Sequence, residues 1–318
     1  MVPSLKAGFD AIAVHITAIL LPLALDILLW LGPRLGVKEY YQAVLPRLVE
    51  DWKTLGFSAA QIQVAVDSYK TQVSNLDALN LLALLRTFPI GISSLLSGSP
   101  PHLTPLGQPN IVQIAPLGNI FGLVLLLTLV GWLGGALYFR WVASLVVPQD
   151  FSIESRAIWR SVAFSFLATV LLIIIGVPVF VIIYLLNLVS PLLGQGVLLF
   201  LGFISLWLIV PLFFAGHGIF MRRQTVFASI LSGIRMARFS LPNSSLFVLS
   251  VILTSIGLNY LWSIPKPNSW MLLVGLIGHA FITTALLAAS FIYYRDTTSW
   301  LQAIFDRLRA GAASTEAQ

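Results

Sequence analysis

Asp26 is the one acid inside a long apolar run, Leu21-Pro-Leu-Ala-Leu-Asp26-Ile-Leu-Leu-Trp30. An ionisable side chain in such a place is costly, and it points first to ion pairing, proton transfer or transport. The blander reading is a structural acid near one end of a span, bonded to a neighbouring helix or a loop amide, and that reading is adopted. His15 and Pro22 share its helical face, but about 16 Å of rise at 1.5 Å per residue separates His15 from Asp26, so the two cannot touch. His217 in Gly216-His217-Gly218, Asn259 and the Thr283-Thr284 pair complete the polar set within apolar segments. Such residues most often hydrogen-bond across helices.

A second candidate site is basic. Arg222, Arg223, Arg235 and Arg238 surround Val226, Phe227, Ile230 and Ile234. The four apolar residues share one helical arc, towards the other side of which Arg235 and Arg238 fall. A segment of this kind lies in the membrane interface, its apolar arc in the acyl boundary and its guanidinium groups on lipid phosphates, which they bind bidentately. Anionic phospholipids are therefore the expected partners, with other membrane proteins beside them and no nucleic acid. Residues 150–160 and 297–309 read as two further amphipathic leads, built on Phe151, Ile158 and Trp159 and on Trp300, Leu301, Ile304, Phe305 and Leu308.

Other chemistries lack their residues. There is no cysteine, which excludes disulfides, thiolate nucleophiles, cysteine-ligated zinc and iron–sulfur clusters. His15, His102, His217 and His279 are scattered without the spacing of metal ligands, and His102 in Pro-Pro-His-Leu-Thr-Pro reads as a loop residue. No HExxH, GxSxG, P-loop or GxGxxG occurs. Neither a metal nor a cofactor is expected, and the chain is read as a non-enzyme.

The elements that must hold these residues are membrane helices. Of 318 residues 58% are hydrophobic and 9% charged, against about 25% charged in a soluble domain, and mean hydropathy is +0.92. A span needs about 20 apolar residues. Six runs qualify: 9–31, 117–139, 161–186, 197–220, 244–264 and 270–294. The first is too long for the core of a cleaved signal peptide and reads as a retained anchor. The expected fold is all-α, a polytopic bundle of six transmembrane helices with amphipathic interfacial helices. Its expected parts are an N-terminal span (1–31), an external helical cap and linker (32–116), a five-helix region (117–295) and an amphipathic C-terminal helix and tail (296–318).

The basic residues of the short loops set the expected orientation. Arg140, Arg156, Arg160, the four arginines of 222–238, Arg295, Arg307 and Arg309 all fall on one side, and the opposite short loops hold only Lys266. The positive-inside rule then places both termini in the cytoplasm. Within 32–116, Ser58-Ala-Ala-Gln61 predicts a helix start by its capping box, and Tyr41 to Leu55 predicts another helix, interrupted or kinked at Pro46. The apolar run 79–97 carries Arg86 and Pro89 near its middle. It is predicted to be an interfacial or re-entrant helix rather than a seventh span. Residues 98–116, rich in Pro and Gly, read as a linker.

In the second span, Gly118-xxx-Gly122 and Gly131-xxx-Gly135 point to opposite faces and predict a central helix gripped on both sides. Pro178 and Pro211 mark the third and fourth spans for kinks of the kind used by transporters. Three leads, Leu5-Lys-Ala-Gly-Phe-Asp10, Ser155-Arg-Ala-Ile-Trp-Arg160 and Leu231-Ser-Gly-Ile-Arg235, each precede a span and its return, a faint repeat of three hairpins.

Leu5-Lys-Ala-Gly-Phe-Asp10 and the stretch from Leu21 to Leu31-Gly-Pro-Arg34 resemble the opening of membrane proteins of Chloroflexota-type bacteria. Ser232-Gly-Ile-Arg235 and Phe291-Ile-Tyr-Tyr-Arg-Asp296 resemble the membrane domain attached to some glycerophosphoryl diester phosphodiesterases. The resemblance implies a six-helix fold in a bacterial plasma membrane. It does not imply phosphodiesterase activity, because the acidic metal-binding barrel has no counterpart in these residues, and 32–116 departs from the simple pattern. The function expected is a scaffold, assembly or bilayer-organising component. The alternative is a small-molecule permease using Asp26 and proline-kinked helices.

Overall fold

The computed structural model describes residues 1–98, 101, 103–146 and 155–316; His102 and the first half of the 150–160 lead lie outside them. Five helices are long and apolar enough to cross a membrane: α5 (Leu117–Val146), α6 (Ser155–Val189), α7 (Pro191–Arg222), α8 (Val226–Trp262) and α9, whose spanning part is Leu272–Leu308. A sixth span exists only if a bent pair, Val2–Val14 with Ile16–Leu31, is counted as one. The fold is an all-α membrane bundle, as expected, but the first span is not one straight helix. α1 (Val2–Val14) ends at His15, a 3₁₀ turn covers Ile16–Ile19, and α2 (Leu20–Leu31) leaves at 95°. Pro22 supplies the reason. It has no N–H for the carbonyl of Ala18 and its ring crowds that carbonyl, which disfavours an α-helix through 18–22, and the backbone leaves helical dihedrals at His15. The corner is packed rather than loose, with Ala18 and Ile19 buried.

α9 is the most enclosed of the spanning helices and α6 the least. That corrects the expectation that α5 is the central, doubly gripped helix. The inner stripe of α9 carries Ala280, Thr284, Ala285, Ala288 and Ala289, all buried, and small side chains let neighbours approach closely. α1 lies against it so tightly that a Cβ on Gly8 would sit 2.5 Å from the backbone N of Ala289. Around this hub pack Trp30, Tyr138, Phe164, Ile219 and Phe291. Outside, α6 and α7 present Leu172, Ile174, Phe180, Leu199 and Phe203, a hydrocarbon surface that only lipid accommodates at this extent.

Two leads are continuous with their spans. α9 runs on to Glu316, because no Gly or Pro interrupts 280–310. α8 begins at Val226, capped by the Thr225 side chain, and its dihedrals break at Ser240. Pro242 accounts for the break, since it cannot donate to the carbonyl of Arg238. α6 and α7 each pass through their prolines, Pro178 and Pro211, as single helices.

One end of the bundle bears the cap. α3 (Lys38–Thr54) continues through Pro46, and α4 (Ala59–Asn75) starts at the predicted capping box, in which the Ser58 N–H donates to Gln61 at 2.9 Å and the Gln61 N–H donates to Ser58 at 3.3 Å. The stretch read as a linker contains strand β2 (Ile111–Gln113), which pairs in parallel with β1 (Arg34–Gly36). This small sheet closes the two ends of the insertion on each other. The Trp30 indole donates to Pro267 O at 2.8 Å, so the α8–α9 turn lies at this same cap end. The α7–α8 turn with its arginines lies at the other.

Candidate functional site

Residues 81–97 do not form the predicted helix and do not belong to an external cap. After a 3₁₀ turn, Leu81–Leu85, the chain becomes irregular and dips into the bundle. Pro89, joined to Phe88 by a cis peptide, and Gly91 leave no helical run there. Cβ atoms on Gly131 and Gly135 of α5 would lie 2.6 Å from Thr87 and 2.6 Å from the Gly91 Cα. Gly135 is eighteen residues from Leu117, about 27 Å along the helix. The tip of the segment therefore lies past the middle of the thirty-residue α5, whose length exceeds a hydrocarbon core of about 30 Å. Irregular backbone at that depth is tolerated only when protein or a cavity surrounds it. Ile90, Ile92, Ser94 and Leu96 are buried accordingly.

Asp26 holds the returning limb. It is fully buried and accepts from Ser94 Oγ at 2.6 Å and the Leu96 N–H at 3.2 Å on one oxygen, and from the Leu95 N–H at 3.1 Å on the other. The carboxylate thus satisfies two loop amides that no helix ladder would satisfy. His15 stands apart and is exposed, its Nδ1 donating to Ala11 O at 3.0 Å within its own helix.

The remaining polar residues tie elements to α9. Ser93 donates to Thr283 Oγ1 at 2.8 Å, since the Thr283 hydroxyl donates to His279 O. Tyr138 donates likewise to Thr284 at 2.8 Å, and the His279 ring donates from Nδ1 to Asn259 Oδ1 at 2.7 Å. His217 Nδ1 donates to Phe213 O at 2.9 Å, which leaves Nε2 to accept from Ser290 Oγ at 2.6 Å; the tautomer is assigned from these partners. A serine on a histidine is a nucleophile–base pairing. Both residues lie inside helices, however, whose N–H groups are committed to their own ladders, so neighbouring amides cannot serve as oxyanion donors. The pair fastens α7 to α9.

The glycine motifs of α5 divide. Gly131 and Gly135 face the re-entrant segment, while Gly118 and Gly122 have open space where a Cβ would be. The arginines are not brought into one cluster. Arg222 and Arg235 line a groove of about 690 Å³ between the first part of α8 and the extension of α9, with Asp306 on its other wall. Arg223 forms the left-handed end of α7 at φ 52° and its carbonyl accepts from Arg160. Arg238 is exposed on α8. It shares the outward face of Phe227, Leu231 and Ile234 instead of lying opposite them, because Ser229, Gly233, Met236 and Ala237 are turned into the bundle.

Two cavities flank the tip of the re-entrant segment. An apolar one of about 470 Å³ is walled by Phe88, Ile90, Phe213, His217, Val251 and Leu286 among others. The second, about 410 Å³, contains Arg86, Thr87 and Tyr138. Asp26 lines neither of them. Among the described residues no group of three or more His, Asp or Glu could hold a metal ion.

No family model, curated protein or solved structure matches this chain. The chain is a multi-pass helical membrane protein in which an irregular segment, 86–97, packs among the helices. The sequence reading passed over Ser93, Ser94, Tyr138 and Ser290. The signal present was the Arg86 and Pro89 interruption of an otherwise apolar run, which speaks against a span but does not say where the segment goes.

Proposed function

We propose that the protein is a non-enzymatic bilayer-organising or scaffold component of a bacterial plasma membrane, acting through an arginine-bearing ledge at the end opposite the cap. The observation that carries this reading is the outward face of α8 before its break. Phe227 is 78% exposed there, with Leu231, Ile234, Arg235 and Arg238 beside it. The ledge is bonded into the bundle on its other side, where Ser229 donates to Ala215 O and Gly233 packs on the Pro211 carbonyl. A rigid apolar strip bordered by guanidinium groups suits acyl chains and anionic headgroups together. The permease alternative draws less support, because both oxygens of Asp26 are already engaged.

Replacing Arg222, Arg223, Arg235 and Arg238 together by glutamine is expected to reduce co-purified phosphatidylglycerol and cardiolipin several-fold, since each basic residue near an anionic surface contributes about 1 kcal/mol. High salt should mimic the loss in the parent protein. Unchanged lipid retention in a correctly oriented variant would sink the reading and leave these arginines as topology signals.

Orientation is tested separately. With no native cysteine, single cysteines at Ser68 on α4 and Ser232 on α8 report on opposite ends of the bundle. The positive-inside rule predicts that an impermeant reagent outside the cell labels the first and spares the second. The reverse pattern would invert the proposed topology.

A further inference from the structure

Arg86 is a cation among apolar helices with no ion-pair partner among the described residues. It is exposed, and its guanidinium donates from Nη1 to Ser97 Oγ at 2.8 Å. Among the described residues no carboxylate lies within ion-pair distance of it. Asp26 is close enough to feel its charge, but Ser94, Leu95 and Leu96 occupy both of its oxygens. A guanidinium among apolar helices needs counter-charge or water, and with no carboxylate among the described residues within ion-pair distance Arg86 is open to an anion from outside the chain.

The cavities show what shape that anion has. The one containing Arg86 and the apolar one beyond it share Phe88, Pro89, Ser93, Phe139, Thr283 and Leu287 as walls. They are neighbours on the two sides of the re-entrant tip. Of the polar groups lining the apolar cavity, Ser93 is paired with Thr283 and Ser290 with His217, which leaves the Ser255 hydroxyl in an otherwise apolar wall. At about 470 Å³ the space is within the roughly 300–1,000 Å³ range of ligand sites, and an apolar cavity of this kind takes hydrocarbon in preference to water. Phe88, 58% exposed, lines both cavities and stands at their edge.

We propose that these two cavities form one binding site for an anionic amphiphile, with its carboxylate or phosphate on Arg86 and an alkyl chain passing Phe88 and Pro89 into the apolar cavity. The site is separate from the arginine ledge and does not depend on it. Guanidinium fits either headgroup in bidentate fashion, and the source is a free fatty acid or one chain of an anionic phospholipid.

The test uses the full-length protein in nanodiscs of phosphatidylcholine and a fatty acid bearing a photoactivatable diazirine at its chain terminus. Crosslinks are expected within 209–217 and 251–255, which wall the apolar cavity. Arg86→Gln should weaken labelling about ten-fold, as the loss of one charge-assisted contact implies, whereas Arg86→Lys should retain most of it. Leu212→Trp, which fills the cavity and leaves Arg86 in place, should abolish labelling. The corresponding fatty alcohol should label the parent no better than it labels Arg86→Gln. Competition by unlabelled hexadecanoate alone assigns a free acid, and competition by phosphatidylglycerol assigns a phospholipid. Equal labelling of the parent and a folded Arg86→Gln protein, or no competition by either compound, overturns the proposal. If Arg86→Gln fails to fold, the alcohol comparison and Leu212→Trp decide it in the same way.

Discussion

Asp26→Leu is expected to destabilise the protein by about 3 kcal/mol or more in detergent melts. Leucine removes every acceptor from Ser94 Oγ and the Leu95 and Leu96 N–H groups, and each buried donor left unpaired costs about 1–3 kcal/mol. Asp26→Asn should cost much less. Its remaining oxygen can keep the partners of Oδ1, which are Ser94 and Leu96, and only Leu95 then faces an NH₂ group. The loss with leucine should begin in the re-entrant limb, so a cysteine at Ser97 should become more reactive before the bundle melts. Asparagine and leucine variants of equal stability would show that Asp26 is not the anchor of this limb. A permease role would instead predict lost transport in both with stability intact.

Alanine at four glycines of one helix is expected to give opposite results. At Gly135 the new methyl group would meet the Gly91 Cα at 2.6 Å and Ile90 O at 2.8 Å; at Gly131 it would meet Thr87 Cγ2 at 2.6 Å and Leu85 O at 2.7 Å. Most of these neighbours are backbone and cannot swing aside, so the segment or α5 must move, at about 1–3 kcal/mol per site. At Gly118 and Gly122 nothing lies within 4 Å, and alanine should stabilise by roughly 0.5–1 kcal/mol through helix propensity. Melting midpoints of the four single variants test this directly. Equal effects at all four positions would mean that the re-entrant segment does not press on α5.

Spans and polar residues were legible to different degrees in the sequence. The bundle class followed from composition and run length, because a chain with 9% charged residues cannot cover itself in water. The Ser58 capping box and the break of α8 at Ser240, two residues before Pro242, are local devices, and both are readable from neighbours in the chain. Pro22 was noted only for its helical face, although its missing N–H falls against the 3₁₀ turn where the first span bends.

That Asp26 bonds to a neighbouring helix or a loop amide is an expectation the sequence supports, and its partners include the loop amides of Leu95 and Leu96. Which donors it finds did not follow from sequence, since Ser94 to Leu96 are about seventy residues away and reach it only because 81–97 folds inward. The same holds for β1 with β2, for Tyr138 with Thr284 and for His217 with Ser290, pairs whose members are individually unremarkable. Gly118-xxx-Gly122 and Gly131-xxx-Gly135 are equivalent as patterns, and only the presence of the re-entrant backbone on one face distinguishes them. Sequence alone determined that the chain dissolves in lipid, where its five long spanning helices run, and that its few ionisable groups within them must be compensated. Tertiary structure decided which groups compensate them, because hydrogen bonds and close backbone contacts depend on distances of a few ångströms between segments that nothing in local periodicity relates.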